Sequence, residues 1–469
     1  KNATTIRLAK MNLAVHGLEG DIQKAITYYE DPHELVGKSD FVMANPPFNV
    51  DEIDADKIKA DPRLPFGLPG VNKKGKVSNG NYVWISYFYS YLSERGRAGF
   101  VMSSQASSAG GGEAKVRQKL VESGDVDVMV AIRSNFFYTR TVPCELWFLN
   151  RDKPDAHSDK VLMIDARNVY RKVTRKIYDF SPEQRQNLLS IVCLYRDQVD
   201  KYLELVSGYC RRALNEGAGC FNTKDDNGHA ILPLPDFVAA LKTLTDTIKA
   251  FTGTLPADAA HATVQAELAG ALPVFETDVA GFKKALAEQE DAWEHQKTTN
   301  GALKKAVDRL VPLAETSRNL VKQSDLLYKL ATHLIESCEK ACNAKKSDAW
   351  NGRDITRLRK AVDEARQLAV AQLKQVRYFW KQARWLTERF PEARLRDVEG
   401  LVKLVDRAEI ETNDWSLTPG RYVGVAPEEE DENFDFEETL REIHVELEDL
   451  NAEAVRLAAT IKKNFEELG

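Results

Sequence analysis

Residues 40–50 read DFVMANPPFNV, and the fold turns on how this stretch is read. An apolar run, Phe41-Val42-Met43-Ala44, ends on Asn45-Pro46-Pro47-Phe48. Asn and Pro both punctuate strands, so a plain turn is one reading. The other is a site, because open α/β sheets bind ligands outside the carboxyl ends of their strands. The chemistry of the four residues favours the second. An exocyclic amine on a planar base is a poor nucleophile, since its lone pair is delocalised into the ring. Two hydrogen-bond acceptors that draw the N–H bonds out of the plane stabilise the positive charge that develops on attack. The Asn45 amide oxygen and the Pro46 carbonyl supply such a pair. The Pro46-Pro47 pair stiffens the loop that aims them, and Phe48 offers a face for a flipped-out base.

Around this stretch, helix and strand signals alternate. Residues 4–16 carry a helical pattern, Phe41–Ala44 is expected as a short buried strand, and YVWISYFYSYLSERG as a helix stopped by Gly96. Strands are expected at 99–104, 126–132, 144–150 and 160–166, with a helix at 113–124. That order predicts an α/β domain with a mostly parallel sheet and an antiparallel edge. From about residue 181 long amphipathic helices take over. Ala306, Leu313, Leu320, Leu327 and Leu334 recur every seven residues. A second helix over 355–390 stripes Ile355, Leu358, Val362, Ala365, Leu368 and Ala369, and Pro256, LAGALP (268–273) and Asn351-Gly352 mark breaks. The tail has a coiled-coil seam at Leu440, Ile443, Leu447, Leu450, Ala454, Leu457, Ile461 and Leu468, interrupted by Asn464. The expected domains are 1–180, catalytic; 181–400, helical; 401–433, a linker with an acidic stretch; and 434–469, a coiled-coil helix.

The bulk numbers bound the function. With 43% hydrophobic and 29% charged residues among 469, the composition is that of a folded globular protein. No run approaches the roughly 18 apolar residues of a membrane helix, and no secretory signal opens the chain. Six cysteines without a CxxC pair, and His333 off the Cys338–Cys342 face, argue for reduced structural thiols in the cytoplasm and against a metal site. A formal charge of −6 means that any grip on nucleic acid needs local basic clusters or a partner. Two clusters stand out. Arg171-Lys172 with Arg175-Lys176 suits either phosphate contact or a solvated surface. KQVRYFWKQARWLTERF (374–390) interleaves bases with aromatics, which suits nucleic acid or an amphipathic helix burying its rings.

FVMANPPF resembles the motif of DNA amino-methyltransferases. TTIRLAKMNLAVHGL, GNYVWISYFYSYLSERGRAGFVMSS, FFYTRTVPCELWFLNRDK and WSLTPGRYVGV are similar to the modification subunit of type I restriction-modification systems. The similarity covers residues 1 to about 205 and about 413 to 469. It implies a Rossmann-like sheet that uses S-adenosylmethionine (AdoMet) to methylate adenine N6 in DNA. Asn45, Pro46, Pro47 and Phe48 would hold the base, and Phe136, Phe137 and Tyr138 fall where the family walls the base pocket; the alternative for those three is core packing. The implied partners are double-stranded DNA, a specificity subunit docked on the C-terminal helices, a second copy of the chain and a restriction subunit. The family's cofactor loop and ribose-binding acid would lie upstream of Lys1. Gly110-Gly111-Gly112 follows too late a strand to replace that loop. The chain is therefore expected to be the C-terminal part of a longer polypeptide, binding AdoMet weakly or not at all alone and inactive by itself. Two rival readings stand beside this one: methylation of a protein glutamine amide, which uses a related motif, and a non-catalytic assembly scaffold.

Overall fold

The computed structural model describes residues 3–137, 141–174, 177–224, 227–256, 261–426 and 436–467. Twelve strands are described: β1 (Ser39–Ala44), β2 (Ile53–Asp54), β3 (Lys76–Val77), β4 (Leu92–Ser103), β5 (Val126–Ile132), β6 (Cys144–Asn150), β7 (Lys160–Asp165), β8 (Arg171–Thr174), β9 (Ile177–Asp179), β10 (Thr223–Lys224), β11 (Ala230–Ile231) and β12 (Val402–Asp406). The first helices are α1 (Ala3–Val15), α2 (Ala55–Ile58), α3 (Asn81–Tyr91) and α4 (Gly111–Glu122). A helical region follows with α5 (Pro182–Tyr195), α6 (Val199–Gly219), α7 (Pro233–Thr252), α8 (Ala262–Glu294), α9 (Asn300–Arg309), α10 (Val311–Lys340) and α11 (Gly352–Arg389). Then come α12 (Arg407–Thr412) and α13 (Phe436–Glu467). The chain forms two units, Lys1–Gly424 and Val425–Gly469.

The central sheet has the order β1-β4-β6-β5-β7-β12. β1, β4, β5 and β7 run in one direction, while β6 lies antiparallel between β4 and β5 and β12 antiparallel against β7. The antiparallel member is thus inside the sheet and not only at its edge. The returning strand Cys144–Asn150 can satisfy its backbone on both sides at that position. Alternation along the strands divides the core in two. Val128, Val130, Ile132, Leu162 and Ile164 pack under the helices. Met129, Trp147, Leu149, Met163, Phe100 and Met102 pack with the α3–α4 side and the segment around Leu417.

Several local expectations change. The helix over the YVWISYFYSYLSERG stretch stops at Tyr91, and Leu92 already begins β4, opposite Ser39 of β1. Gly96 sits within that strand, where an added Cβ would fall 2.7 Å from the Ser39 carbonyl oxygen. β1 is not a buried strand. Phe41 and Met43 are exposed (76% and 89%), because β4 is its one neighbour in the sheet and no described element covers that face. Pro273 does not break a helix but rides within α8. The heptad leucines 313–334 do face the core, although Pro312 splits α9 from α10, and Leu368 points to solvent. The rings of the 374–390 stretch act as core: Phe379 and Trp380 are buried, and the Trp380 indole donates to the Val307 carbonyl at 3.1 Å.

Residues 402–406, expected in a linker, form the edge strand β12. Its residues Val402 and Val405 are fully buried against the sheet, a side-chain pattern too short to stand out in the sequence. The following loop folds over the same sheet. Leu417 N–H donates to the Ser107 carbonyl at 2.8 Å. Buried Arg117 donates from Nε to the Trp415 carbonyl at 2.6 Å and from Nη1 to the Ala109 carbonyl at 2.7 Å. Arg117→Ala leaves those carbonyls without their donor, a loss of about 3 kcal/mol at 1–3 kcal/mol per buried group. Urea denaturation should read the loss, and limited trypsin digestion should cut faster at Arg421. Unchanged stability would remove Arg117 from this role. The acidic stretch 427–435 lies outside the described residues. In the second unit, α13 exposes Leu440, Ile443, Leu447, Leu450, Leu457 and Ile461; Leu468 lies outside the described residues.

Candidate functional site

Because β1, β4, β5 and β7 are codirectional, their carboxyl ends lie at one end of the sheet. β6 starts at that end with Cys144. The loops gathered there carry Asn45, Ser104, Arg133–Phe137 and Arg167. This is where an open α/β sheet places its ligand site.

The Asn45 side chain is exposed and has no hydrogen-bond partner among the described residues, whereas Pro46 is buried and Phe48 half-buried. Phe48 packs against both core clusters, so the loop is anchored by its ring while its amide stays free. A set of asparagines fixes the loop from behind. Asn49 adopts the left-handed conformation (φ 54°), which Asn tolerates. Its N–H donates to Asn81 Oδ1 at 2.9 Å, and its own Oδ1 accepts from Asn81 Nδ2 at 2.9 Å and Asn79 Nδ2 at 3.2 Å. Gly80 N–H donates to the Val50 carbonyl at 2.7 Å. Asn81 is fully buried at the start of α3. Sequence reading missed this brace; its only signal is the Asn-Gly-Asn run at 79–81 before an aromatic helix.

Phe136 and Phe137 are half-buried and border the helical core; Phe136 packs against Phe180 with ring centroids 4.6 Å apart and planes tilted by 56°. Tyr138 lies outside the described residues. Core packing therefore accounts for much of the Phe136 surface.

A buried polar cluster occupies the same sheet end. Glu145 on β6 is 1% exposed, and its Oε2 has no partner. Ser107 Oγ donates to the Ser104 carbonyl at 2.8 Å and meets Thr418 Oγ1 at 2.6 Å. Asp165 is held by Arg167 through bonds of 2.9 and 3.0 Å. Burial, reinforced by the Asp165 charge, pushes the Glu145 carboxyl up to about 8, against the pull of Ser107 and Arg167. The folded state keeps this proton where the unfolded chain, at the ordinary 4.5, has lost it. Stability from this group is full below about 4.5 and falls as pH rises toward 8. Glu145→Gln should flatten the stability–pH profile across that window in urea titrations; a profile parallel to wild type refutes the assignment.

All six cysteines are free of disulfides, and all but Cys342 are buried. No helix among the described residues is long and apolar enough to cross a membrane.

Residues 1–216 match the N-6 DNA Methylase family. The chain resembles the methylase subunits of type I restriction enzymes. The MjaIX methylase subunit of Methanocaldococcus jannaschii is 39% identical over 235 residues, 48% of this chain and 39% of that protein. The HindI methylase subunit of Haemophilus influenzae is 30% identical over 217 residues, 46% and 47% of the two chains. A type I restriction-modification methyltransferase subunit from Streptococcus thermophilus, solved by crystallography, is 24% identical over 40% of this chain and 39% of its own, with a TM-score of 0.36. The chain thus spans less than half the length of these relatives. The methylase match contains the Asn45–Phe48 loop, its asparagine brace and Glu145 with Ser107 and Asp165, whereas Thr418 and α7 to α13 lie beyond it.

Proposed function

We propose that this chain is the adenine-N6 DNA methyltransferase subunit of a type I restriction-modification complex, with AdoMet as methyl donor. The observation that carries the reading is the free Asn45 amide at the carboxyl end of β1, on a loop clamped by buried Pro46, half-buried Phe48 and the Asn49–Asn81 bonds. In this reading Asn45 Oδ1 and the Pro46 carbonyl accept the two amine hydrogens of a flipped adenine. Pro47 keeps the loop stiff, Phe48 lends a ring face to the base, and Phe137 and Tyr138 wall the pocket. Drawing the N–H bonds out of conjugation leaves the amine lone pair available for attack, and no side-chain base is needed for that step. The sheet is the part of a Rossmann-like methyltransferase fold that holds the base.

The residues of this chain do not fit the cofactor equally well. Among the described residues no Gly-rich strand-to-helix turn precedes Asn45, so no step is assigned to a cofactor cradle here. Sequence recognition would come from a specificity subunit bound by the C-terminal helices, with α13 presenting its apolar seam in coiled-coil fashion, beside a second copy of the chain and a restriction subunit in the cytoplasm.

The test is tritiated methyl transfer from AdoMet to duplex DNA by the complete gene product co-expressed with its neighbouring subunit, with nucleoside analysis of the product. N6-methyladenine supports the reading. Transfer to protein glutamine, or none with either acceptor, would sink it.

A further inference from the structure

Where α10 ends and α11 begins, the helical region holds a cavity of about 370 Å³, within the range of small-molecule sites. It lies beyond the methylase match, and nothing in the methyltransferase reading uses it. Ile335 of α10 and Ile355 of α11 supply apolar lining, and Trp350 comes from the connecting turn. Trp350 is 7% exposed, with its ring set edge-on to Phe251 at a centroid distance of 5.2 Å. Its indole N–H is buried and donates to nothing among the described residues. A Cβ added at Gly352 would stand 3.8 Å from that nitrogen. The donor therefore faces the bare first turn of α11, which lines the same cavity. A buried donor left unmade carries its desolvation cost with no bond to offset it, which marks a place prepared for an acceptor.

The other groups at this spot favour a negatively charged acceptor. Asp354 N–H donates to the Asn351 side chain at 3.2 Å, and Ile355 N–H donates to the Asn351 carbonyl at 3.0 Å. The Gly352 and Arg353 N–H groups precede these bonds, at the positive end of a 38-residue helix. Arg359, half-buried on the cavity wall, has no acidic partner among the described residues. The nearby carboxylates are already matched: Glu336 by Lys340 at 3.2 Å, Glu339 by Lys345 at 2.9 Å and Asp354 by Arg357 at 3.5 Å. Residues 340–360 hold seven Lys and Arg against two Asp, in a chain whose formal charge is −6. That surplus draws anions toward the cavity. A guanidinium beside orphan helix N–H groups suits phosphate oxygens.

We propose that this cavity binds a small phosphorylated molecule. Its phosphate sits on Arg359, the Trp350 indole N–H and the first N–H groups of α11, and its apolar body lies against Ile335 and Ile355. A volume of this order holds far more than one inorganic phosphate, so the ligand has a body as well as a charge. The site is independent of the methyltransferase reading, because none of its residues belongs to the sheet.

The experiment is fluorine NMR of the full chain labelled with fluorotryptophan, titrated with phenyl phosphate, inorganic phosphate and a short DNA duplex. The Trp350 resonance, one of seven, is identified by its loss in Trp350→Phe. It should shift and saturate with phenyl phosphate, and respond more weakly to inorganic phosphate. Arg359→Gln should weaken phenyl phosphate binding by about tenfold or more, through loss of charge-assisted bonds. Arg357→Gln, exposed on the same helix, should stay within about twofold of wild type. Circular dichroism and thermal melting confirm that the variants fold. The proposal is overturned by a Trp350 signal that neither small phosphate moves, by unchanged affinity in Arg359→Gln, or by an equal loss in Arg357→Gln. Equal affinity for the two small phosphates would remove the apolar body and overturn it as well. So would a shift with the duplex and none with phenyl phosphate, which would make the cavity a contact for nucleic-acid backbone.

Discussion

Asn45→Ala is expected to reduce methyl transfer by at least 10²- to 10³-fold, the range for removing one preorganised polar group from a transition-state site. In the proposed reading, the substitution deletes one of the two acceptors that lift the amine out of conjugation. It should act on the chemical step, lowering kcat with little change in KM for DNA. Folding should be unaffected, since the Asn45 side chain is exposed and bonded to nothing among the described residues. Asn81→Ala offers the contrast: it frees the Asn49 N–H and the turn behind the motif, so it should lower both transfer and stability. A single-turnover assay of tritiated methyl transfer, with urea denaturation beside it, separates the two. Wild-type turnover in Asn45→Ala would remove this residue from the base-holding role.

The largest stability effect is expected at Trp147. Its ring is fully buried at the centre of β6, stacked on Phe100 with centroids 6.0 Å apart and edge-on to Tyr82 at 6.4 Å. It joins α3 to the middle of the sheet. Truncating a large aromatic in a packed core costs about 3–5 kcal/mol, because the surroundings close the cavity only in part. Trp147→Ala should lower the urea midpoint markedly, and Trp147→Phe should recover much of the loss. A midpoint within error of wild type would mean that this face of the sheet is far looser than its burial implies.

Much of the sheet was legible because its strands announce themselves locally. FVMA, VDVMVAI, CELWFLN and KVLMIDA are short apolar runs bounded by breakers, and each became a strand. Their pairing was less legible. Nothing within CELWFLN says that it inserts between two parallel strands, since that is decided by which backbone edges remain open. Val402–Asp406 was hidden for a related reason: five residues carry too little periodicity, and their partner β7 lies more than two hundred residues upstream. Pro273 sits inside α8 because the helix buries Leu268 and Phe275 on either side of it, and that packing outweighs the backbone bond the proline removes. At the site, the order reverses. Asn45 to Phe48 stood out from chemistry alone, while the Asn49–Asn79–Asn81 brace is made of ordinary polar residues whose meaning appears only when they meet. Glu145 was equally silent: a lone acid within an apolar strand gives no hint of the Ser107, Asp165 and Arg167 whose polar groups act on it.

The loop that closes over Ser107 and Arg117 has a consequence for how the molecule comes into being. Arg117 reaches carbonyls 297 and 298 positions later, and Ser107 meets a hydroxyl 311 positions on. Contacts of such sequence separation form late, after the loop-closure entropy has been met. During synthesis, β1 and β4 emerge early and wait, through the whole helical region, for the strand and loop that cap their neighbours. The carboxyl end of the sheet is therefore completed late in synthesis, and a chain arrested anywhere before residue 424 would carry the Asn45–Phe48 loop on an unfinished support.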